Sequence, residues 1–236
     1  MLSTLRPSLL AAALVLVSPI AASATEAWSY IKPHLYGDAE VQTSDIVTLE
    51  APYRAEDAAL VPMTIGAKLP DDDPRRVESI TLVIDNNPSP VAATFTLGAD
   101  AAVSSISTRV RVDRYTPVRA IAKLSDGSLH MTETYVKASG GCSAPMAKDQ
   151  DDALANMGKM RLRWFNEAGH SEPKNMSKAS AQLMIRHPNN SGLQMDQITR
   201  YYIPAHFVTK VSVSQGGDQG LSTAFELEAE IGILGD

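Results

Sequence analysis

Cys142 is the single cysteine of the chain, and it stands in the stretch Ala138-Ser139-Gly140-Gly141-Cys142-Ser143-Ala144-Pro145. A thiolate is a nucleophile, so a residue of this type offers mixed disulfides or reactive sulfur chemistry. Gly140 and Gly141 allow backbone conformations closed to other residues, and Ser143 and Ala144 add little bulk. The pattern predicts a thin, flexible arm that presents the thiol. The competing reading is a small buried hydrophobe at a strand end, the common fate of a lone cysteine. An enzyme using Cys142 as its nucleophile needs a base beside it, and His130 and His206 are the candidates a fold could bring there.

Other chemistry-bearing residues group less well. His187 and His206 lack a cysteine or acidic partner at ligand spacing, which places them at a strand end or domain interface and gives no metal site. Arg109, Arg111 and Arg114 could receive an anion, but alternation assigns them to a solvated strand face. No Gly-x-Ser-x-Gly elbow joins a histidine and an acid, and no glycine-rich loop opens a helix, so hydrolase and nucleotide readings fail. The triplets Asn175-Met176-Ser177 and Asn189-Asn190-Ser191 have acceptor spacing for glycosylation; such triplets are common by chance and receive no role.

Residues 1–24 combine Arg6, an apolar run from Leu9 to Val17 and the small-residue pattern Ala22-Ser23-Ala24, which predicts an export signal cleaved near Ala24. No segment approaches the roughly 20 apolar residues of a membrane helix, so membrane insertion is not expected. An exported chain with one cysteine forms no internal disulfide, and the remaining thiol is conspicuous in an oxidising compartment. The net charge of −6, without a long basic run, argues against nucleic acid or an anionic membrane as the main partner.

Short runs of period-two character must position the cysteine: Ile46 to Leu49, Ala59 to Ile65, Ile80 to Ile84, Val91 to Leu97, Val103 to Val112, Val118 to Leu124 and Leu129 to Val136. Ile106, Thr108, Val110 and Val112 share one face, while Ser107, Arg109, Arg111 and Asp113 share the other, which reads as wet. Turn residues at Pro70-Asp71-Asp72-Asp73-Pro74, Asn86-Asn87-Pro88 and Ser125-Asp126-Gly127-Ser128 space the runs as an immunoglobulin-like sandwich does. Trp28 to Leu35 reads as a short helix, limited by Pro33, over one end of this domain. A polar linker spans 143–158. Strand character returns at Met160 to Trp164, Gln182 to His187, Tyr202 to Val213 and Phe225 to Ile233, which predicts a second, smaller β domain. The expected fold is all-β: two immunoglobulin-like sandwiches joined by a polar linker and packed together, with Gly140 to Pro145 exposed near their junction.

The order of several short motifs carries a family resemblance. Ala51-Pro52 through Ala58-Ala59-Leu60-Val61-Pro62, Asn87-Pro88, Ile106-Ser107-Thr108-Arg109, Ala122 to Gly127 and the Gly140-Gly141-Cys142 ending resemble SoxY, the sulfur-binding subunit of the Sox thiosulfate-oxidation carrier. Ile185-Arg186-His187-Pro188, Ser191-Gly192 and Ile203-Pro204-Ala205-His206-Phe207 resemble SoxZ, its partner subunit. As one chain it is similar to fused SoxYZ-like carriers associated with quinoprotein dehydrogenases. The resemblance implies a SoxY-like domain over 25–142, the linker over 143–158 and a SoxZ-like domain over 159–236.

It also implies a periplasmic carrier, not an enzyme, that holds a covalently bound sulfur anion on Cys142. Separate Sox-type periplasmic enzymes or cytochromes load and process that cargo, with a quinoprotein dehydrogenase a further partner; no metal or organic cofactor is implied. The alternative is a non-catalytic adaptor of an exported quinoprotein dehydrogenase, with Cys142 incidental. In the family the glycine–cysteine segment ends the SoxY chain, whereas here Ser143, Ala144 and Pro145 continue it, so the arm is tethered at both ends.

Overall fold

Leu82 and Val83 are sequence neighbours, and both are fully buried. Successive side chains of a strand point to opposite faces, so a sheet holding both must be covered on each side. The computed structural model describes residues 20–99, 101, 104–145, 150–166, 180–217 and 220–229. The chain begins with α1 (Ile20–Tyr36), followed by β1 (Val41–Thr43), β2 (Val47–Glu50), β3 (Val61–Ala67), β4 (Val77–Ile84), β5 (Val91–Leu97), β6 (Ser105–Val110), β7 (Thr116–Leu124) and β8 (Leu129–Val136). Beyond the cysteine come α2 (Gln150–Ala155), β9 (Met160–Phe165), β10 (Ser180–Ile185), β11 (Lys210–Gly217) and β12 (Gly220–Ala229). The fold is all-β, and its sandwich of mainly antiparallel sheets is immunoglobulin-like.

One sheet runs β1-β8-β7-β4-β5-β12-β11, and a three-stranded sheet, β2-β3-β6, faces it. Between them Ile80, Leu82 and Ile84 of β4, Phe95 of β5 and Val118, Ala120 and Ala122 of β7 pack with Val47, Val61, Met63, Ile65 and Val110. On the outer face Val83, Ile121, Leu129 and Met131 form a second apolar cluster with Trp28, Ile31 and Tyr36 of α1 and with Val41. The helix therefore supplies the cover that Val83 requires. It is longer than expected and lies over a sheet face, not over one end of the domain. Pro33 falls in its last turn, and Gly37 closes it at φ +57 while donating to the Pro33 carbonyl at 2.9 Å.

The seven strands anticipated up to Val136 are present, the fifth of them, β6, starting at Ser105. Strand β1, three residues paired in parallel with β8, is additional. After the cysteine the expected linker holds α2, and β9 and β10 form a separate antiparallel pair. Residues 202–209, expected as strand, carry only isolated bridges, Asn190 to His206 and Met195 to Tyr202. The hairpin β11-β12 turns back to the first sheet, pairing Phe225 with Leu97 and Ala229 with Ala93. Residues 1–19 of the expected export signal lie outside the described residues, as do Val103, Lys148, Asp149, Asn175 and the end of the last expected strand. No described helix is long and apolar enough to cross a membrane.

Arg119 joins α1 to the sheet electrostatically. Its Nε and Nη2 donate to the Asp85 carboxylate at 3.0 to 3.1 Å, Nη1 reaches Glu133, and the guanidinium lies 4.7 Å from the Trp28 ring centroid. Burial pushes the Asp85 carboxyl above its usual range, and Arg119 opposes that push. Removing one partner of a buried pair strands the other charge. Arg119→Ala is expected to cost about 3–5 kcal/mol, and Arg119→Ala with Asp85→Asn to recover part of it, both measured by urea unfolding.

Candidate functional site

Strand β6 ends at Val110, and the chain then runs irregularly through Arg111, Val112 and Asp113. Asn87 fixes that run from both sides: its Nδ2 donates to the Arg111 carbonyl at 2.8 Å, and its Oδ1 accepts from the Asp113 amide at 2.9 Å. Leaving β8, the chain comes alongside the same run. Gly140 N donates to the Asp113 carbonyl at 2.8 Å, Gly141 N to the Val112 carbonyl at 3.1 Å, and Val112 N to the Ala58 carbonyl at 2.9 Å. A turn follows, closed by Ala144 N on the Gly140 carbonyl at 3.1 Å, with Cys142 inside it.

The two glycines do different work in this geometry. Gly140 adopts φ +77, the left-handed region that glycine enters freely. A Cβ on Gly141 would stand 2.1 Å from the Ala58 carbonyl oxygen and 2.6 Å from that of Val112, closer than any side chain fits. The absent side chain lets the loop press into a cleft between residues 55–59 and 111–113. Cys142 is consequently 1% exposed. The expectation of an exposed segment over Gly140 to Pro145 is corrected for Gly141 and Cys142, while Ser143 and Pro145 remain at the surface.

Arg111 is also corrected. The alternating pattern placed it on a wet face, yet it is 2% exposed. The strand ends one residue earlier, so the alternation of β6 no longer governs its direction. Its Nη1 donates to the Ala144 carbonyl at 2.9 Å and to the Gly141 carbonyl, spanning the turn on both sides of Cys142. Its Nη2 is buried without a partner among the described residues. Arg109 remains exposed on β6 and Arg114 pairs with Asp113 at 3.7 Å.

Residues from beyond the linker close the cradle. Ser191 Oγ donates to the Cys142 carbonyl at 2.5 Å, and Gln194 Nε2 donates to the Ala144 carbonyl at 3.4 Å. Gln194 Oε1 in turn accepts from the Ser191 amide at 2.8 Å, holding the pair together. Asn190 and His206 exchange backbone hydrogen bonds at 2.7 and 2.8 Å, and the rings of His206 and His187 meet edge-on at 4.7 Å. Burial, followed by the His206 charge, pushes His187 below its ordinary value. Gly192, at φ +87, lies against Ala205. Ser191-Gly192 and the segments around His187 and His206, apart in sequence, thus come together, and Ser191 and Gln194 reach from them to clamp the thiol loop.

Burial pushes the Cys142 thiol up to about 11, Asp113 adds to the shift, and Arg111 opposes it. The thiol of this state is protonated and weakly nucleophilic. His130 sits at the start of β8, at the far end of that strand from the loop, with Ser128 Oγ at 3.2 Å. His206 is engaged with His187 and Asn190. Neither candidate base is among the groups that act on the thiol. Among the described residues no group of three or more His, Cys, Asp or Glu is placed to hold a metal.

Sequence reasoning missed Arg111, Asn87 and Gln194 as parts of the site. Asn87-Pro88 and Ser191-Gly192 were recognisable as motifs, but nothing local shows that they meet at Cys142.

The family model of Sulfur oxidation protein SoxY matches residues 32–142, and that of Sulphur oxidation protein SoxZ matches residues 158–229. Comparison with curated proteins returned no match. Among solved structures, the sulfur carrier protein SoxY from Chlorobium limicola f thiosulfatophilum is 22% identical, covers 49% of this chain and 94% of its own, and has a TM-score of 0.41. A superoxide reductase (neelaredoxin) from Ignicoccus hospitalis is 12% identical, covers 39% of this chain and 78% of its own, and has a TM-score of 0.34.

A free energy follows from the buried thiol. An unfolded chain ionises at the ordinary thiol value of 9.0 and the folded one at about 11, so the folded state holds the extra proton between them and loses stability as pH rises through that window. Stability measured against Cys142→Ala should fall over this range and not below it. Gly141→Ala should expel the loop: alkylation of Cys142 at pH 8 is expected to be at least about tenfold faster than in the parent chain, because the exposed thiol recovers its ordinary ionisation. The assay is timed iodoacetamide labelling, with circular dichroism checking the sandwich.

The first matched segment ends on the cysteine at the centre of this cradle, and the second supplies the clamp over it: the chain is a fused SoxYZ-like protein, a SoxY domain followed by a SoxZ domain.

Proposed function

We propose that this chain is a periplasmic carrier that holds sulfur intermediates covalently on Cys142 and presents them to partner enzymes of thiosulfate oxidation. One observation carries the reading: Ser191 and Gln194, within the SoxZ match, hydrogen-bond the turn that holds the last residue of the SoxY match. The two portions converge on the only thiol. The carrier portion is taken as residues 25–142, the linker as 143–158 and the SoxZ-like portion as 159–236, after removal of the export signal near Ala24.

Carriage fits the electrostatics better than catalysis does. Burial and, after it, Asp113 keep the thiol protonated, so the chain does not activate its own nucleophile. Loading therefore requires a partner that draws the loop out or lowers the barrier itself. Gly140 and Gly141 are the arm on which the loop leaves its cleft, since backbone hydrogen bonds and Arg111 hold it there and no apolar side chain of theirs does. Sox-type periplasmic enzymes or cytochromes are the expected partners, and a quinoprotein dehydrogenase a further one. Met160, Leu162 and Trp164 on β9, with Ile198, Tyr201 and Tyr202, expose large apolar surface on the SoxZ-like side where a partner protein can dock.

Burial of Cys142 also favours a second reading, an adaptor of an exported quinoprotein dehydrogenase in which the cysteine only packs. The intact mass of protein purified from its native source without reductant separates the two. The carrier reading expects a sulfur adduct on Cys142, and loss of thiosulfate oxidation in Cys142→Ser with partner complexes intact. An unmodified mass together with full oxidation in Cys142→Ser leaves the adaptor.

A further inference from the structure

The guanidinium of Arg111 is buried, yet only one of its terminal nitrogens is used. Nη1 bridges the carbonyls of Gly141 and Ala144, which places the planar fork across the inside of the turn that contains Cys142. Nη2, on the same fork, is buried with no hydrogen-bond partner among the described residues. An unpaired donor on a buried cation is costly, because its hydration is lost and nothing replaces it. The carboxylates within electrostatic reach, Asp57 for Arg111 and Asp113 for the thiol, are engaged elsewhere: Asp57 Oδ1 accepts from the Ala59 amide at 2.8 Å and Asp113 pairs with Arg114. The missing partner is an acceptor, and an anion satisfies a guanidinium best.

We propose that Arg111 is the binding residue for the anionic end of a group attached to Cys142, with Nη2 donating to an oxyanion a few bonds beyond Sγ. This rests on the reading of Cys142 as the cargo residue and deepens it by naming the residue that meets the cargo's negative charge. When such a cargo is bound, the buried positive charge and the adduct neutralise each other. The loaded loop then settles more firmly into its cleft than the empty one, which keeps the cargo from small thiols in solution.

The test uses the full-length mature chain with Cys142 modified in mild urea and refolded. Iodoacetate and iodoacetamide each form an Sγ–C bond with loss of iodide, giving adducts of nearly equal shape that differ in charge. Tetrathionate gives a sulfonate-bearing adduct: the thiolate attacks a central sulfur, the central S–S bond breaks, thiosulfate leaves with the electron pair, and the thiol proton passes to solvent. In the parent chain the carboxymethyl form should be more stable than the carbamidomethyl form by roughly tenfold or more in the folding equilibrium, the factor one charge-assisted hydrogen bond supplies. The tetrathionate adduct should resist a small thiol longer than it does in Arg111→Gln. Arg111→Lys should retain part of both effects.

Equal stability of the two alkyl forms in the parent chain overturns the proposal, as does an anionic form that fails to refold where the neutral form succeeds. So does a charge preference that persists unchanged in Arg111→Gln. The alkyl comparison in the parent chain stands even if Arg111→Gln does not fold. It is also independent of native cargo: a charge preference without any native adduct would sink the carrier reading and leave Arg111 as an anion site.

Discussion

Residue 141 carries no side chain, and the rest of the site depends on that. The Ala58 and Val112 carbonyls approach the backbone of Gly141 so closely that a methyl group has nowhere to go. Only a bare backbone can lie in that cleft, and once it does, its neighbour Cys142 is drawn out of water. The raised thiol pKa follows from that burial, and so does the position of Arg111, whose two carbonyl acceptors belong to this turn. Glycine beside a reactive cysteine is usually read as freedom of movement. Here it serves close approach, which no residue with a side chain could make.

The sandwich was legible because its strands alternate cleanly. Ile80, Leu82 and Ile84 against Thr81 and Val83, or Val118, Ala120 and Ala122 against Arg119 and Ile121, announce strands whatever they pair with. What alternation hides is cover on the second face. Val83 and Ile121 are apolar because α1 lies over them, and a proline near the end of that helix made it look shorter than it is. Pairing partners are likewise invisible in a single strand. Nothing in β12 itself reveals that its neighbour is β5, well over a hundred residues earlier in the chain.

At the site the failure is more instructive. Cys142 was singled out from its own context, since type and neighbours are local properties. Arg111 was assigned to solvent because a two-residue period was extended one step past the end of β6. That step is where the backbone leaves the sheet, held by the Asn87 amide, and the side chain turns inward. Ser191 and Gln194 escaped for the opposite reason: their function lies in a contact across 49 and 50 residues of sequence, which no local pattern encodes.

That long-range contact has a consequence in kinetics. Ser191 and Gln194 belong to the same chain as the loop they cover, so reclosing after an opening is a unimolecular event. The local concentration of the clamp is set by the connecting segment and by the pairing of β12 on β5, and is independent of how much protein the compartment holds. Were the two portions separate subunits, dilution would favour the uncovered thiol. In the fused chain the fraction of time that Cys142 is exposed is an intrinsic constant of the molecule, the same at high and at low protein concentration.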